Sequence, residues 1–488
     1  MSMIKIENLT FGYPTSYDNV FENFSATIDT DWKLALTGRN GRGKTTLMKL
    51  LSGEYEYSGN ITSSVQFDYF PYNVKDKEKQ VWEIFADICP DNEEWQFIRE
   101  LSYLDIDADA LYMPFEYLSN GEQTKILLAA LFLKDGHFLL IDEPTNHLDT
   151  KARAQVSKYL NKKKGFILVS HDRDFLDGCV DHVMALNRTT TEIRGGNFSS
   201  WLNDFENRQL AEQKQNEKLK KEIKRLKHSA AQSANWAQQT ENEKKGNGPV
   251  DRGFIGHKAA KMMKHSKIIE DRQQRLIQEK VSLLQNTEIS DKLKICATEY
   301  RLNTLLDVKN VSIQYDGITI NKPVSFTVKR GQRIALNGGN GCGKSSLIKA
   351  ILGQKINHEG TVSLGSGLII SYVPQDVSYI SGKIIDILRE SKIDVSRFMT
   401  ILAKMGIEEY LPDKDMTMLS EGQKKKVLIA KSLCENAHLY IWDEPLNYID
   451  VYCRIQIENL IKEFCPTMIF IEHDKAFQNS VATEIINM

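Results

Sequence analysis

No stretch of this 488-residue chain approaches the ~18 apolar residues of a membrane span; the longest apolar run is Ile126 to Leu133. A transport channel made of this chain alone is thereby excluded. The seven cysteines, Cys89, Cys179, Cys296, Cys342, Cys434, Cys453 and Cys465, are scattered, without the paired spacing of a metal site or a disulfide framework. A reducing, cytoplasmic compartment is the expectation. Met1 to Thr10 alternates apolar and polar residues as a strand does and lacks a signal-peptide core. Surplus charge is missing too, at a net −2. With 41% hydrophobic and 26% charged residues, the composition is that of an ordinary soluble protein, long enough for two domains and a spacer.

The middle of the chain departs from this balance. Between Phe205 and Lys280 stand 18 Lys and Arg against 10 Asp and Glu, a segment charge of +8 that leaves the remainder near −10. Leu219, Ile223 and Leu226 recur at heptad-like spacing, as do Ile277, Val281 and Leu284, with Lys, Glu, Gln and Ala between them. That pattern predicts helix. Gly246, Asn247, Gly248 and Pro249 interrupt it, so two helices fold back as a hairpin. Ile223 and Ile277 lie equally far from Val250, as do Leu219 and Val281, which sets the seams opposite each other. An arm of roughly 38 residues spans about 57 Å at the helical rise.

A basic hairpin on acidic flanks suggests a polyanionic partner, since neutralising phosphates releases counterions; a solvated charged coiled coil is the alternative. The tip, near residues 236–262, collects Lys244, Lys245, Arg252, Lys258 and Lys261, followed by Lys264 and Lys267, around Trp236, Phe254 and Ile255. Apolar side chains there have no core of their own, and aromatic rings among cations suit stacking on unpaired RNA bases. Lys244, Lys245, Arg252, Phe254, Lys258, Lys261 and Lys264 are the candidate RNA-binding residues.

Chemistry is carried by the flanking segments. Ile4 to Phe11 and Trp32 to Thr37 read as strands, and Gly38-Arg39-Asn40-Gly41-Arg42-Gly43-Lys44-Thr45 joins the second to a helix. This is a P-loop: glycines let successive amides face β- and γ-phosphates, Lys44 adds charge and Thr45 offers a hydroxyl to Mg²⁺. Gly38, Asn40, Gly41, Gly43, Lys44, Thr45 and Thr46 are its candidate nucleotide-binding residues. The apolar strand Phe138 to Ile141 delivers Asp142 and Glu143 to its end, the first to bind Mg²⁺ through water and the second to polarise the attacking water. Phe166 to Val169, another strand, ends at Ser170-His171, where the imidazole would reach the γ-phosphate.

The set recurs. Gly338 to Ser345 is a second P-loop, with Gly338, Asn340, Gly341, Gly343, Lys344, Ser345 and Ser346 as its candidates, and Asp443-Glu444 and His473 follow. Leu118-Ser119-Asn120-Gly121-Glu122-Gln123 has a counterpart in Leu419-Ser420-Glu421-Gly422-Gln423. The offsets run from 300 to 302 across Lys44/Lys344, Ser119/Ser420, Glu143/Glu444 and His171/His473. Such regularity means duplication. Tyr13 and Tyr315 also correspond, at 302, each placed either to stack on adenine or to pack in the core.

A P-loop, an LSxGQ-like signature and an Asp-Glu-Pro box in this order resemble the ATP-binding cassette ATPases, and both copies match. Two cassettes on one chain, a basic helical hairpin between them and no membrane segment resemble the ABC-F branch, which works on ribosomes and whose linker reaches the peptidyl-tRNA site. Asp251 to Lys261 and the compact layout further resemble the Lsa-type antibiotic-resistance members. The resemblance implies an α/β fold: two P-loop cassettes, residues 1–202 and 301–488, joined by an antiparallel helical hairpin over residues 203–300. It implies ATP and Mg²⁺ at two head-to-tail sites. Site one joins Lys44, Thr45, Asp142, Glu143 and His171 to Ser420, Gly422 and Gln423; site two joins Lys344, Ser345, Asp443, Glu444 and His473 to Ser119, Gly121 and Gln123. Thr45, Asp142, Ser345, Gln375 and Asp443 would hold the metal, and Glu143, Glu444, His171 and His473 would act catalytically.

Departures from the family pattern are few. Tyr72 stands where Gln375 supplies the Q-loop amide in the second copy, so site one is expected to hydrolyse more slowly. Glu421 occupies a signature place often held by a small residue and is expected to point to solvent. The intervals from Tyr72 to Ser119 and from Gln375 to Ser420 leave no room for an inserted arm domain, and no long extension is expected after His473.

The function implied is a ribosome-binding ATPase that protects the peptidyl-transferase region from lincosamides, streptogramin A compounds and pleuromutilins. Its partners would be large-subunit rRNA and peptidyl-site tRNA of the bacterial ribosome, with no membrane, no separate transmembrane subunit and a functional monomer whose cassettes pair within one chain. A housekeeping factor for stalled or initiating ribosomes is the runner-up, followed by a soluble transporter subunit. A DNA-repair cassette protein fits less, since the hairpin contains no cysteine for a Cys-x-x-Cys hook.

Overall fold

Alternation along Met3–Phe11 buries Ile4, Ile6 and Leu9 while their neighbours face outward, the mark of a strand covered on one side. It is the centre of a three-stranded antiparallel sheet, between Phe21–Asp29 and Ser58–Thr62. The strands Phe166–Val169 and Met468–Ile471 instead have no exposed position, as strands buried on both faces of a parallel sheet do. The protein is described from a computed structural model over residues 2–14, 19–146, 148–187, 191–243, 293–315, 317–407 and 411–488.

The fold is α/β with two P-loop cassettes. In the first, six strands run in the order Gln66–Phe70, His137–Asp142, Phe166–Val169, Lys33–Gly38, His182–Leu186, Thr191–Gly195; all pairs are parallel except the last. The second repeats this as Ile370–Val373, Leu439–Asp443, Met468–Ile471, Arg333–Asn337, Glu484–Asn487, all parallel. Its antiparallel sheet centres on Thr304–Tyr315, flanked by Val324–Lys329 and His358–Leu364. Ligands of such sheets bind beyond the carboxyl ends of the strands. Asp142, Ser170, Asp443 and Glu472 all stand there.

The chain divides into two units, Met1–Trp201 with Ser290–Met488, and Leu202–Ile289. Both cassettes belong to the first. The helix Phe198–Glu243, 46 residues long, starts five residues before residue 203, the expected start of the hairpin. Its first turn is set by packing and capping: Gly196 breaks the preceding strand at φ +126°, Asn197 Oδ1 accepts from Ser200 N, Asp177 accepts from Ser199 N, and the rings of Phe198 and Trp201 meet at 5.3 Å. At the helical rise it is about 69 Å long. The expected turn at Gly246 to Pro249, the second arm and the tip lie outside the described residues. Among the described residues, no helix is long and apolar enough to cross a membrane.

Candidate active sites

Each P-loop wraps its own lysine. Lys44 Nζ donates to the carbonyls of Gly38 at 2.7 Å and Arg39 at 3.2 Å, and Lys344 Nζ to those of Gly338 at 2.9 Å and Gly339 at 2.8 Å. Gly43 and Gly343 sit in the left-handed region at φ +82° and +89°, where a β-carbon is disfavoured, and lead into the helices Lys44–Leu51 and Lys344–Ile351. Thr46 and Ser346, one residue after the hydroxyls of Thr45 and Ser345, are bonded to Tyr13 and Tyr315 at 2.8 and 2.9 Å. The two tyrosines then differ. Tyr13 packs edge-on against Phe11 and Tyr55, whereas Tyr315 is 44% exposed and lines the cavity of site two.

The carboxylates lie in strained backbone. Glu143 and Glu444 have φ +49° and +45°, a conformation tolerated where surrounding structure over-determines it, often at functional sites. Their amides are fixed by the neighbouring strands, Glu143 N to Val169 O at 2.9 Å and Glu444 N to Ile471 O at 3.0 Å. This register brings the histidines across. His171 Nε2 lies 3.2 Å from Glu143 Oε1 without hydrogen-bond alignment; His473 Nε2 lies 3.4 Å from Glu444 Oε1. Burial, helped by Lys44 and Arg454, holds His171 well below its usual range, so its imidazole is neutral.

The two glutamates have opposite electrostatics. Burial, then repulsion from Asp142, pushes Glu143 up to about 8. Burial also raises Glu444, but hydrogen bonds from His473, Gln375 and Asn447 outweigh it and bring that carboxyl below its ordinary value. Asn447 Nδ2 donates to Glu444 Oε2 at 2.7 Å. Gln375 Oε1 accepts from Ser345 Oγ at 3.3 Å, so the amide stands between the P-loop hydroxyl and Glu444. In site one Tyr72 is 37% exposed, and Asp142 Oδ2 is served by Thr45 Oγ1 at 2.7 Å and the Tyr69 hydroxyl at 3.1 Å.

These oxygens fit Mg²⁺, a hard ion that takes one or two carboxylates and leaves its other positions to water and phosphate. Thr45 with Asp142 is one such set; Ser345, Gln375 and Asp443 form the other. Among the described residues, Asp443 Oδ1 is buried without a hydrogen-bond partner, and burial pushes its carboxyl up to about 6. A cation there would relieve both.

Each site takes residues from both cassettes. A cavity of about 810 Å³ contains Asn340, Lys344 and Ser345 of the second P-loop together with Ser119, Gly121 and Glu122 of the first signature. Site one is drawn tight instead. Asn40 Nδ2 donates to Tyr448 O at 2.8 Å, and Asn40 N to Asp450 Oδ2 at 3.4 Å. A β-carbon on Gly422 would come within 2.8 Å of Tyr448 O and 3.4 Å of Asn40 Nδ2. Lys426 Nζ and Asp450 Oδ2 form a buried pair at 2.8 Å, which holds the Asp450 carboxyl far below the usual range.

One sequence expectation is corrected. Gln123 is not the signature side chain: its amide donates inward to the carbonyls of Phe115 and Leu118. Glu122 holds that place, reciprocally capping Ser119 at the start of Asn120–Leu131 as Gln423 caps Ser420. The repeat offset of 301 already pairs Gln423 with Glu122. Glu421, exposed as expected, nevertheless bonds Tyr448 and helps burial push that phenol up to about 12. Tyr448, Asp450, Asn447 and Arg454 were missed; they follow the Asp-Glu-Pro box, where no isolated motif marks them. Lys244, Lys245, Arg252, Phe254, Lys258, Lys261 and Lys264 lie outside the described residues.

Comparisons with known proteins agree with this architecture. A family model described as ABC transporter matches residues 21–146 and 321–447. The chain is similar to the ribosome protection protein VmlR of Bacillus subtilis, 28% identical with 97% of this chain and 85% of that one covered. It is 25% identical to the energy-dependent translational throttle protein EttA of Haemophilus influenzae, with 96% and 89% covered. Among solved structures, the archaeal ribosome recycling factor aABCE1, in complex with stalk protein aP1, shares the fold at a TM-score of 0.64 and 20% identity, with 98% of this chain and 87% of that one covered.

Proposed function

Because the chain belongs to the ABC transporter family and, with two cassettes and a helical spacer on one chain, to its ABC-F branch, we propose that this ATP hydrolase acts on the bacterial ribosome and protects the peptidyl-transferase region from antibiotics. The similarity over 97% of the chain to a protein named for ribosome protection carries this reading. Lincosamides, streptogramin A compounds and pleuromutilins are the drug classes proposed. Large-subunit rRNA and peptidyl-site tRNA are the proposed contacts of the tip, and the cytoplasm is the proposed compartment.

The cassettes supply the clamp. ATP in site two would lie between Lys344, Ser345 and Tyr315 on one side and Ser119 with the amides of Gly121 and Glu122 on the other. A helix N-terminus binds phosphate through free amides and the helix dipole; ATP therefore adds attraction only when the halves are together, which favours the closed state. Asp142 with Thr45, and Asp443 with Ser345 and Gln375, would hold Mg²⁺, which offsets phosphate charge when bound. Glu143 and Glu444 orient the attacking water and take its proton. His171 and His473, beside those carboxylates, position the γ-phosphate end of the site. Hydrolysis removes the bridging charge, so the halves separate and the protein leaves the ribosome.

The double variant Glu143→Gln/Glu444→Gln keeps every phosphate contact and loses both proton acceptors. It is expected to sediment stably with ribosomes in ATP at physiological salt, and sedimentation free of ribosomes overturns the proposal. Drug susceptibility of cells expressing the wild type or Phe254→Ala distinguishes protection from a housekeeping role in translation, the second reading, which similarity to EttA favours. Protection that falls in Phe254→Ala while ribosome-stimulated turnover persists supports the first; unchanged susceptibility supports the second.

A further inference from the structure

Among the described residues, Lys425 is a buried cation without an ion-pair partner in contact. Its side chain has no exposed area, and its ammonium donates to three main-chain carbonyls: Pro374 at 2.7 Å, Glu444 at 3.1 Å and Asp443 at 3.4 Å. All three donors of an ammonium are thereby used. Burial lowers Lys425 to about 8, against the attraction of Glu472, Asp443, Glu444 and Asp376. Glu472 is itself buried, with its carboxylate fixed by the amide of Leu446 at 2.7 Å. Burying charge is costly and contributes little net stability, so packing alone does not account for it.

The first cassette does without it. At the repeat offset of 301, Lys425 corresponds to Thr124, whose hydroxyl merely bonds Asn120 O on its own helix at 2.9 Å. At the offset of 302 that relates His171 to His473, Glu472 corresponds to Ser170, which bonds Thr145 at 3.1 Å. A neutral hydroxyl pair on one side is thus a buried Lys and Glu on the other, beneath the groups that would hydrolyse ATP in site two. The carbonyls Lys425 holds are telling. Pro374 precedes Gln375, the amide between Ser345 and Glu444, and the other two belong to Asp443 and Glu444 themselves. Lys425 stands on the helix Glu421–Cys434, whose N-cap, Ser420, belongs to the signature of site one. Five residues of helix, about 7.5 Å, separate the two ends of this connection.

We propose that Lys425 is a positioning residue for hydrolysis in site two and that it transmits nucleotide occupancy of site one, read at Ser420 and Gly422, to Gln375 and Glu444. The inference rests on the composite sites described under the proposed function. A rigid helix turns movement of the signature into movement of the ammonium, and the three carbonyls follow it. Thr124 reaches no such groups, so the relay runs in one direction, from site one to site two.

The test uses the full chain and measures steady-state ATP turnover. Glu143→Gln holds ATP in site one and Lys44→Ala weakens ATP binding there, so the ratio of site-two turnover between these backgrounds reports the coupling. Lys425→Thr and Lys425→Met are then added to each. The expectation is a kcat for site two lower by about tenfold or more, since misplacing catalytic groups by an ångström has large effects, with KM for ATP nearly unchanged and the ratio collapsing toward one. A merely structural lysine would lower both backgrounds equally and leave the ratio standing. Should Lys425→Met fail to fold, Lys425→Thr carries the test, because threonine occupies the same place in the first cassette. Retained kcat and ratio in the folded variant overturn the proposal. Adding Glu444→Gln to Glu143→Gln must remove the residual turnover; if it does not, the assignment of site two is at fault, whatever Lys425 does.

Discussion

The two ATP sites come from duplicated halves and carry nearly the same phosphate-binding residues, yet the opposite cassette meets them differently. At site one, Asn40 is bonded to Tyr448, Asp450 faces the P-loop, and Lys426 and Arg454 contribute to the electrostatics of His171. At site two the equivalent Asn340 lines an 810 Å³ cavity with Asn146 and Asp149. The catalytic side differs too: Gln375, Asn447 and Lys425 organise Glu444, while the sequence positions that match Gln375 and Lys425 in the first cassette hold Tyr72 and Thr124. Divergence has therefore fallen on the groups around the shared chemistry. Tight contact marks site one and a more complete hydrolytic set marks site two, so holding ATP and turning it over need not be equal tasks of both.

The most direct way to break this contrast is to remove one proton acceptor at a time. Glu444→Gln disables the site with the Q-loop amide and is expected to cut ATP turnover by about tenfold or more, whereas Glu143→Gln leaves most of it, since general-base catalysis is worth at least 10²-fold where it operates fully. Equal residual rates in the two variants would erase the distinction.

The contrast can also be sharpened. Tyr72→Gln gives site one the amide that Gln375 supplies to site two. A hydrogen bond worth a net ~0.5–1 kcal/mol corresponds to about two- to fivefold in rate. Measured in the Glu444→Gln background, turnover is expected to rise by that factor; no increase would mean that Tyr69, already bonded to Asp142, fills the role.

Short contiguous motifs were the legible part of the sequence. Gly38 to Thr45, Asp142-Glu143 and His171 each announce their chemistry locally, and the constant offset finds their copies. The signature was read one residue wrong in the first half, where Glu122-Gln123 offers two similar side chains and only helix capping decides between them. Contacts such as Asn40 with Tyr448, 408 residues apart, have no local pattern. Neither do Lys425 and Glu472, which read as an ordinary helix lysine and a strand-end glutamate until the fold buries both and lets the carboxylate attract the ammonium. The first helix of the spacer was legible as a helix, but its start depended on Asp177 and Trp201, which lie outside any heptad.

The smallest effect should come from the ion pair on the site-one side of the cassette contact. Arg173 Nη2 meets Glu458 Oε2 at 2.6 Å with both side chains largely buried; by the repeat, the matching positions are Lys475 and Ser157, which line a cavity of about 280 Å³. Arg173→Met breaks this one-sided link, yet Glu458 keeps Lys462 at 2.9 Å and the hydroxyl of Ser480, so the loss is ~1 kcal/mol, below that of a buried pair left with one charge uncompensated. For a chain of this size that is an apparent Tm lower by about 1–2 °C. Burial raises the Glu458 carboxyl, but bonds from Arg173, Ser480 and Lys462 bring it below its ordinary value. A carboxyl depressed in the folded state contributes stability above its unfolded pKa of about 4.3, and that contribution disappears as pH falls through the folded value. The Tm difference between wild type and Arg173→Met should accordingly be full at pH 7 and shrink below about pH 4.3. A difference that stays constant on acidification would show that Arg173 acts by packing rather than by its charge, and the one-sided link would then be steric.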